Sequence, residues 1–306
     1  MRSISRDLYP FDGNTLDLGG FRMHYLDEGS GSPVLCVHGN PTWSFFYRDL
    51  VLGLRDSHRV VVPDHVGCGL SDAPDDEAYE YTLARRIDDL ETLVERLDLG
   101  HLDLVVHDWG GAIGMGWAAR HPDMVRRLVI LNTAAFHLPP GKTMPWQLSL
   151  VRDTALGAVM VRGFNAFARG ATHLACTRRT LPNAVRDAYC APYDSWQRRI
   201  APLRFVQDIP LQPSDRAYAR ISETEAALPQ FADRPILICW GLKDFVFDHH
   251  FLSRWRTIYP DAEVHEYADC GHYILEDAGD EIIPLISRFL ADGATSEHAD
   301  IGKETP

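Results

Sequence analysis

The sequence predicts an α/β domain: a mostly parallel eight-stranded sheet with helices on both faces and an inserted helical cap. Three observations predict it. Short apolar runs rich in Val, Leu and Ile alternate with helical patterns along most of the 306 residues. The runs are apolar throughout rather than alternating, which suits strands covered on both faces. The alternation then stops for a long helical and aromatic stretch and resumes beyond it.

The elements follow in order. "LDLGGFRMHYLDEG" reads as an antiparallel hairpin at the edge of the sheet. The apolar runs are "VLCVHG" (34–39), "RVVVPD" (59–64), "LDLVVHD" (102–108), "RLVILN" (127–132), "PILICWG" (235–241) and "AEVHEY" (262–267). Between the second and third, Thr82 can cap a helix whose apolar face is Leu83, Ile87, Leu90, Val94 and Leu97, ending at Gly100. From about His137 to about Ser222 there is no clear strand, and Pro punctuates the helical pattern. This places a cap at 137–222 and the core at 1–136 and 223–291. The polar tail 292–306 reads as disordered.

Composition bounds the function. Hydrophobic residues make up 45% and charged residues 24%, as in an ordinary soluble domain. No apolar run is long enough to cross a bilayer, and the N-terminus lacks a signal-peptide core, so a cytoplasmic protein without membrane insertion is expected. A net charge of −13 argues against nucleic acid and anionic membrane surfaces as partners. The six cysteines are scattered and form no CxxC pair, so neither a disulfide framework nor a zinc site is expected. No cofactor or metal is implied; a homo-oligomer stays open.

The chemistry gathers at "HDWGG" (107–111), where a strand pattern meets a helix pattern. A strand, a tight turn and a helix with small residues around the turn form a nucleophile elbow. Asp108 occupies the place where such elbows usually carry serine, and Gly110 and Gly111 let the helix pack closely. Free N–H groups at a helix start favour an ionised carboxylate. The bland alternative is an N-cap aspartate, which is common. Two further stretches favour chemistry. "VLCVHGNPTWSF" puts Asn40 after an earlier strand, where an oxyanion hole is built, and "CWGLKD" and "ADCGHYILED" put Asp244 and His272 after the last two strands. The order nucleophile, acid, histidine is that of the elbow enzymes.

These motifs identify a resemblance. From about residue 10 to 291 the chain resembles an α/β-hydrolase of the haloalkane dehalogenase family, on "HGNPTWSFFYRDL", "DHVGCGLSD", "HDWGGAIG", "WGLKD" and "GHYILED". The resemblance implies Asp108 as nucleophile, His272 as base and Asp244 as the acid that orients it. It implies halide binding by the side-chain N–H groups of Asn40 and Trp109, whose backbone N–H groups would form the oxyanion hole. With its Asn–Trp pair and its acid after the penultimate strand, the set resembles the third subfamily, which adjoins β-lactone decarboxylases of olefin biosynthesis.

The residue types suit that chemistry. A carboxylate is already ionised near neutral pH, its reference pKa being about 3.9, and it can displace a leaving group from a saturated carbon. His272 would then activate water against the aspartyl ester. The expected activity is therefore hydrolysis of carbon–halogen bonds in a small apolar haloalkane, giving alcohol and halide ion. A β-lactone decarboxylase yielding a cis-alkene and carbon dioxide is the alternative, and an epoxide hydrolase is a second, with Tyr189 and Tyr193 as its proton donors. A non-catalytic receptor on the same fold would predict loss of triad members, and all are present. Among the neighbours, Asp248 reads as a capping carboxylate, Asp64 as the anchor of the "HVGCGLSD" loop, and His107 as a residue packed beneath the elbow.

Overall fold

The computed structural model describes residues 4–291; the tail expected at 292–306 lies outside them. The chain enters through β1 (Asn14–Asp17) and β2 (Arg22–Glu28), then β3 (Ser32–Val37), α1 (Arg48–Leu54), β4 (His58–Pro63), α2 (Leu83–Arg96), β5 (Leu102–Asp108), α3 (Trp109–Ala118) and β6 (Val125–Thr133). Six helices follow without a described strand: α4 (Trp146–Asp153), α5 (Ala155–Phe164), α6 (Ala166–Leu174), α7 (Asn183–Cys190), α8 (Ile200–Gln207) and α9 (Tyr218–Ala227). The sheet resumes with β7 (Ile236–Gly241), α10 (His249–Ile258), β8 (Glu263–Tyr267) and α11 (Ile274–Ala291).

The eight strands form one sheet in the order β1-β2-β4-β3-β5-β6-β7-β8. Only the β1–β2 and β2–β4 pairs are antiparallel. The expected hairpin and the parallel centre are both present. Strand side chains alternate between two apolar layers. Leu35, Val37, Leu104, Val106, Leu128 and Ile130 face the layer that holds the apolar faces of α2 and α3. Val34, Cys36, Val105, Val129 and Leu131 face the layer of α1 and α11. Covering both faces is why each run is apolar throughout.

Helix α2 starts where the sequence placed it: the Thr82 side chain accepts the Arg85 N–H at 3.3 Å. All six cysteines are free. Asp64 holds its loop by accepting the Leu70 N–H at 2.9 Å and the Ser44 N–H at 2.6 Å. Helices α4 to α6 and α8 lie over the carboxyl ends of the strands and close an apolar cavity of about 370 Å³ above β5. Among the described residues no helix is long and apolar enough to cross a membrane.

Candidate active site

The site begins with a strained turn. Asp108 ends β5 with φ 53° and ψ −128°, a conformation that costs a non-glycine residue energy and persists only where its surroundings impose it. The Thr133 hydroxyl donates to the Asp108 carbonyl. A side chain could not be accommodated on Gly110, where an added Cβ would come within 1.9 Å of the Val37 carbonyl oxygen. Gly39 is bare for the same reason, since its Cβ would sit 2.0 Å from Asp108 Oδ1. The elbow thus presses α3 against β3 and points the carboxylate into the cavity.

The three residues named from sequence meet there. His272 Nδ1 lies 2.7 Å from Asp244 Oδ2, and its Nε2 lies 3.5 Å from Asp108 Oδ2. All three are less than a tenth exposed. The Asn40 backbone N–H donates to Asp108 Oδ1 at 2.5 Å. Burial works against ionising Asp108, but the adjacent His272, aided by the Asn40 N–H, holds its pKa below the ordinary carboxylate value. Burial likewise works against the imidazolium of His272, and the Asp244 and Asp108 carboxylates outweigh it, raising the pKa to about 10. The resting site therefore pairs an imidazolium with two carboxylates.

Asn40 and Trp109 flank Asp108 and line the cavity. One side-chain N–H of Asn40 donates to the Pro202 carbonyl of α8 at 3.0 Å, leaving the second for the cavity. Trp109 opens α3, and its ring packs on Phe205 at 5.4 Å. His107 sits beneath the elbow as expected, stacked on Phe46 at 4.2 Å and donating from Nε2 to the His272 carbonyl at 2.8 Å. Burial and the neighbouring His272 lower its pKa to about 3, so it stays neutral. Asp248 caps α10 by accepting the His250 N–H.

The two tyrosines weighed for epoxide chemistry are engaged elsewhere. Tyr189 donates to Glu276 Oε1 at 2.5 Å and Tyr193 to the Thr42 carbonyl at 3.4 Å, and neither lines the cavity.

Sequence reasoning missed Asn132. It is the penultimate residue of β6, with φ 30°, and its Nδ2 donates to Asp244 Oδ2 at 3.0 Å and to the Gly241 carbonyl at 3.1 Å. Its Oδ1 accepts the Gly241 N–H at 2.8 Å. Nothing in "LVILN" signals a partner more than a hundred residues away; the tolerance of Asn for positive φ is the only local hint.

A tight strand-to-helix turn at Asp108, on a sheet with this order and with an inserted set of helices, defines the class. The chain belongs to the α/β-hydrolase fold family, whose profile matches residues 32–279. Its structure is similar to that of haloalkane dehalogenase DatA from Agrobacterium tumefaciens, with a TM-score of 0.82 at 23% identity over 92% of this chain and 96% of that one. In sequence it is 34% identical to haloalkane dehalogenase 2 of Mycobacterium bovis over 92% of this chain and 96% of that protein. It is far more similar to two proteins of another name. It is 57% identical to the cis-3-alkyl-4-alkyloxetan-2-one decarboxylase of Shewanella oneidensis, over 94% of this chain and 91% of that one. It is 51% identical to the Xanthomonas campestris protein of the same name, over 92% and 97%.

These identities correct the expectation of a carbon–halide hydrolase that releases halide ion. The error has a physical source. An aspartate at the elbow, a histidine–acid pair and two neutral N–H donors suit any attack on a saturated carbon that expels an anion. The motifs therefore cannot separate a halide from a tethered carboxylate.

Proposed function

We propose that the protein decarboxylates β-lactones carrying alkyl groups on both saturated ring carbons, giving a cis-alkene and carbon dioxide. The identity of 57% and 51% to two cis-3-alkyl-4-alkyloxetan-2-one decarboxylases, over nine tenths of the chain, carries this reading.

The geometry suggests how. One Asp108 oxygen attacks the saturated ring carbon that bears the ring oxygen, from the opposite face. That carbon–oxygen bond breaks with its electron pair left on oxygen, so the lactone carbonyl becomes a free carboxylate on the neighbouring carbon. The carbon–carboxylate bond then breaks. Its electron pair forms the double bond, carbon dioxide departs, and the ester bond returns its pair to Asp108. One inversion followed by an anti elimination converts a cis-lactone into a cis-alkene. Neither water nor a net proton is consumed.

Asn40 and Trp109 would hold the carboxylate as it develops, acting as neutral donors in an apolar site. An imidazolium at His272 supports the same step, because this sequence asks for no base. Purified protein given a cis-3,4-dialkyl β-lactone should yield alkene and carbon dioxide in equal amounts, with no oxygen from labelled water in either product once spontaneous carbon dioxide hydration is corrected for. Failure to form alkene from several such lactones, with the protein folded, would overturn the reading.

A further inference from the structure

Eight of the ten large hydrophobic side chains exposed among the described residues lie between Trp146 and Leu211, in the inserted helices. They are not scattered. On α5, Leu156, Val159, Met160 and Phe164 form one outward stripe at helical spacing, with Leu156 61% and Phe164 69% exposed. The adjoining side of α5 is also apolar, with Gly157 set against the backbone of α4 and Val161 buried. A helix that is apolar on both sides calls for cover on both. Trp146 (71% exposed), Met160 and Leu174 belong to this patch and also line the cavity, so the apolar surface runs from outside into the site.

The charge around the patch opposes that of the protein. Residues 137–222 carry twelve Arg and Lys against five Asp and Glu, whereas the whole chain has 30 against 43. Lys142, Arg178, Arg179 and Arg204 are ion-paired with Asp248, Asp269, Asp280 and Asp76 of the core, so the basic excess on the outer face rests on residues such as Arg162, Arg169 and Arg199. Beside the stripe, the Arg162 guanidinium lies 4.6 Å over the Trp196 ring, and Arg199 donates to the Arg162 carbonyl at 2.8 Å. Arg169 is exposed on α6. Burial and the nearby Arg169 both lower the pKa of Arg199, as expected in a cluster of like charge.

We propose that the outer face of α4, α5 and α6 docks on an anionic lipid surface, with the cavity opening toward the acyl chains. An apolar stripe with flanking Arg and interfacial Trp is the pattern of a helix lying in a membrane interface. Anionic headgroups complement a basic outer face that the acidic body would otherwise keep from a membrane. A second copy fits less well, because pairing two such faces sets Arg162, Arg169 and Arg199 against their own kind. The consequence that the docked cavity takes a water-insoluble lactone from the lipid rests on the proposed function; the docking itself does not.

The test is flotation of the full chain, without substrate, on vesicles of phosphatidylglycerol and phosphatidylethanolamine and on phosphatidylcholine alone. The expected result is binding to the anionic vesicles that weakens with salt. Leu156→Asp with Phe164→Asp, and separately Arg162→Glu with Arg169→Glu, should each weaken it on the order of tenfold or more, at roughly fivefold per charge. Both pairs should keep the wild-type circular dichroism and the wild-type turnover of a short, water-soluble lactone. No flotation of the wild type on anionic vesicles, or equal flotation of wild type and variants, would overturn the proposal. So would a dimer in sedimentation velocity that the Leu156 and Phe164 changes dissolve, without vesicle binding. Absence of lactone turnover with flotation intact would count against the proposed function and leave the docking standing.

Discussion

His272 Nδ1 lies 2.7 Å from Asp244 Oδ2, while the other nitrogen of the ring faces Asp108 at 3.5 Å. Burial opposes the imidazolium, but the two carboxylates raise its pKa to about 10. A raised histidine pKa stabilises the fold fully below its ordinary value of about 6.5, and that contribution is lost as pH rises through about 10. Turnover of a β-lactone should therefore hold level from about pH 7 to about pH 9 and fall above about pH 10. Asp244→Asn removes the larger charge partner and should move the alkaline limb down by about one unit or more. A rate that instead rises through pH 7 would make the neutral imidazole the active form.

The proposed reaction makes Asp108 the attacking group. Asp108→Ala should lower turnover on the order of 10⁴-fold or more, as loss of the nucleophile does in serine proteases. Its circular dichroism should match wild type, because Thr133 and the close packing of Gly110 still impose the turn. Steady-state alkene production by the folded variant decides the point; near wild-type output would remove Asp108 from the mechanism.

Much of this was legible in the sequence, and the reason is local. Runs such as "LDLVVHD" are apolar throughout because β5 is buried along its whole length, so strand and fold class could be read directly. Asp108 ends a strand, Asp244 and His272 each follow one, and the topology gathers strand ends at one edge of the sheet. Asn132 was not legible, because its role is a contact to Asp244 that exists only after β6 and β7 pair. The reaction was misread for a different reason. The same carboxylate and the same neutral donors suit both chemistries, and only the identity over the whole chain separates them. Net charge misled in a similar way, since one sum cannot report a basic face on an acidic body.

Asn132 should act by positioning Asp244. Asn132→Ala removes a donor from a buried carboxylate and both contacts to Gly241, which should cost about 1–3 kcal/mol of stability. Turnover should fall on the order of tenfold or more with KM little changed, because the cavity is untouched. Urea denaturation and steady-state kinetics on the same preparation check both halves. An unchanged kcat would reduce Asn132 to a purely structural residue.

Arg48 and Glu276 form an ion pair at 3.0 Å beside the site, each less than a tenth exposed, and Tyr189 donates to the same carboxylate. Glu276→Ala leaves the buried Arg48 guanidinium with only the exposed Asp49 carboxylate, 3.3 Å away, as counter-charge, so it should cost up to about 3 kcal/mol, the low end for a broken buried pair. The double change Arg48→Met with Glu276→Leu removes both charges and should recover much of the loss. Urea midpoints of the single and double variants make the comparison. A single variant as stable as wild type would mean that water reaches Arg48.

The cavity should set which chains are accepted, and Gly170 offers a way to test this without disturbing the chemistry. Gly170 lies on α6 and lines the cavity, and an added Cβ would meet no atom within 4 Å. Gly170→Leu should therefore fill cavity space rather than strain the core, and a helix interior favours the change by about 0.5–1 kcal/mol. The added side chain stands away from Asp108 and His272, so kcat for a short-chain lactone should stay within about twofold of wild type. For lactones with longer alkyl groups, each methylene excluded from the cavity forfeits about 0.8 kcal/mol of burial, so losing two should raise KM roughly tenfold or more. A chain-length series on wild type and variant reads this as a KM that diverges with length at nearly constant kcat. Parallel curves at every length would show that the alkyl groups lie elsewhere, and the space beneath α4 and α5 would then be their place.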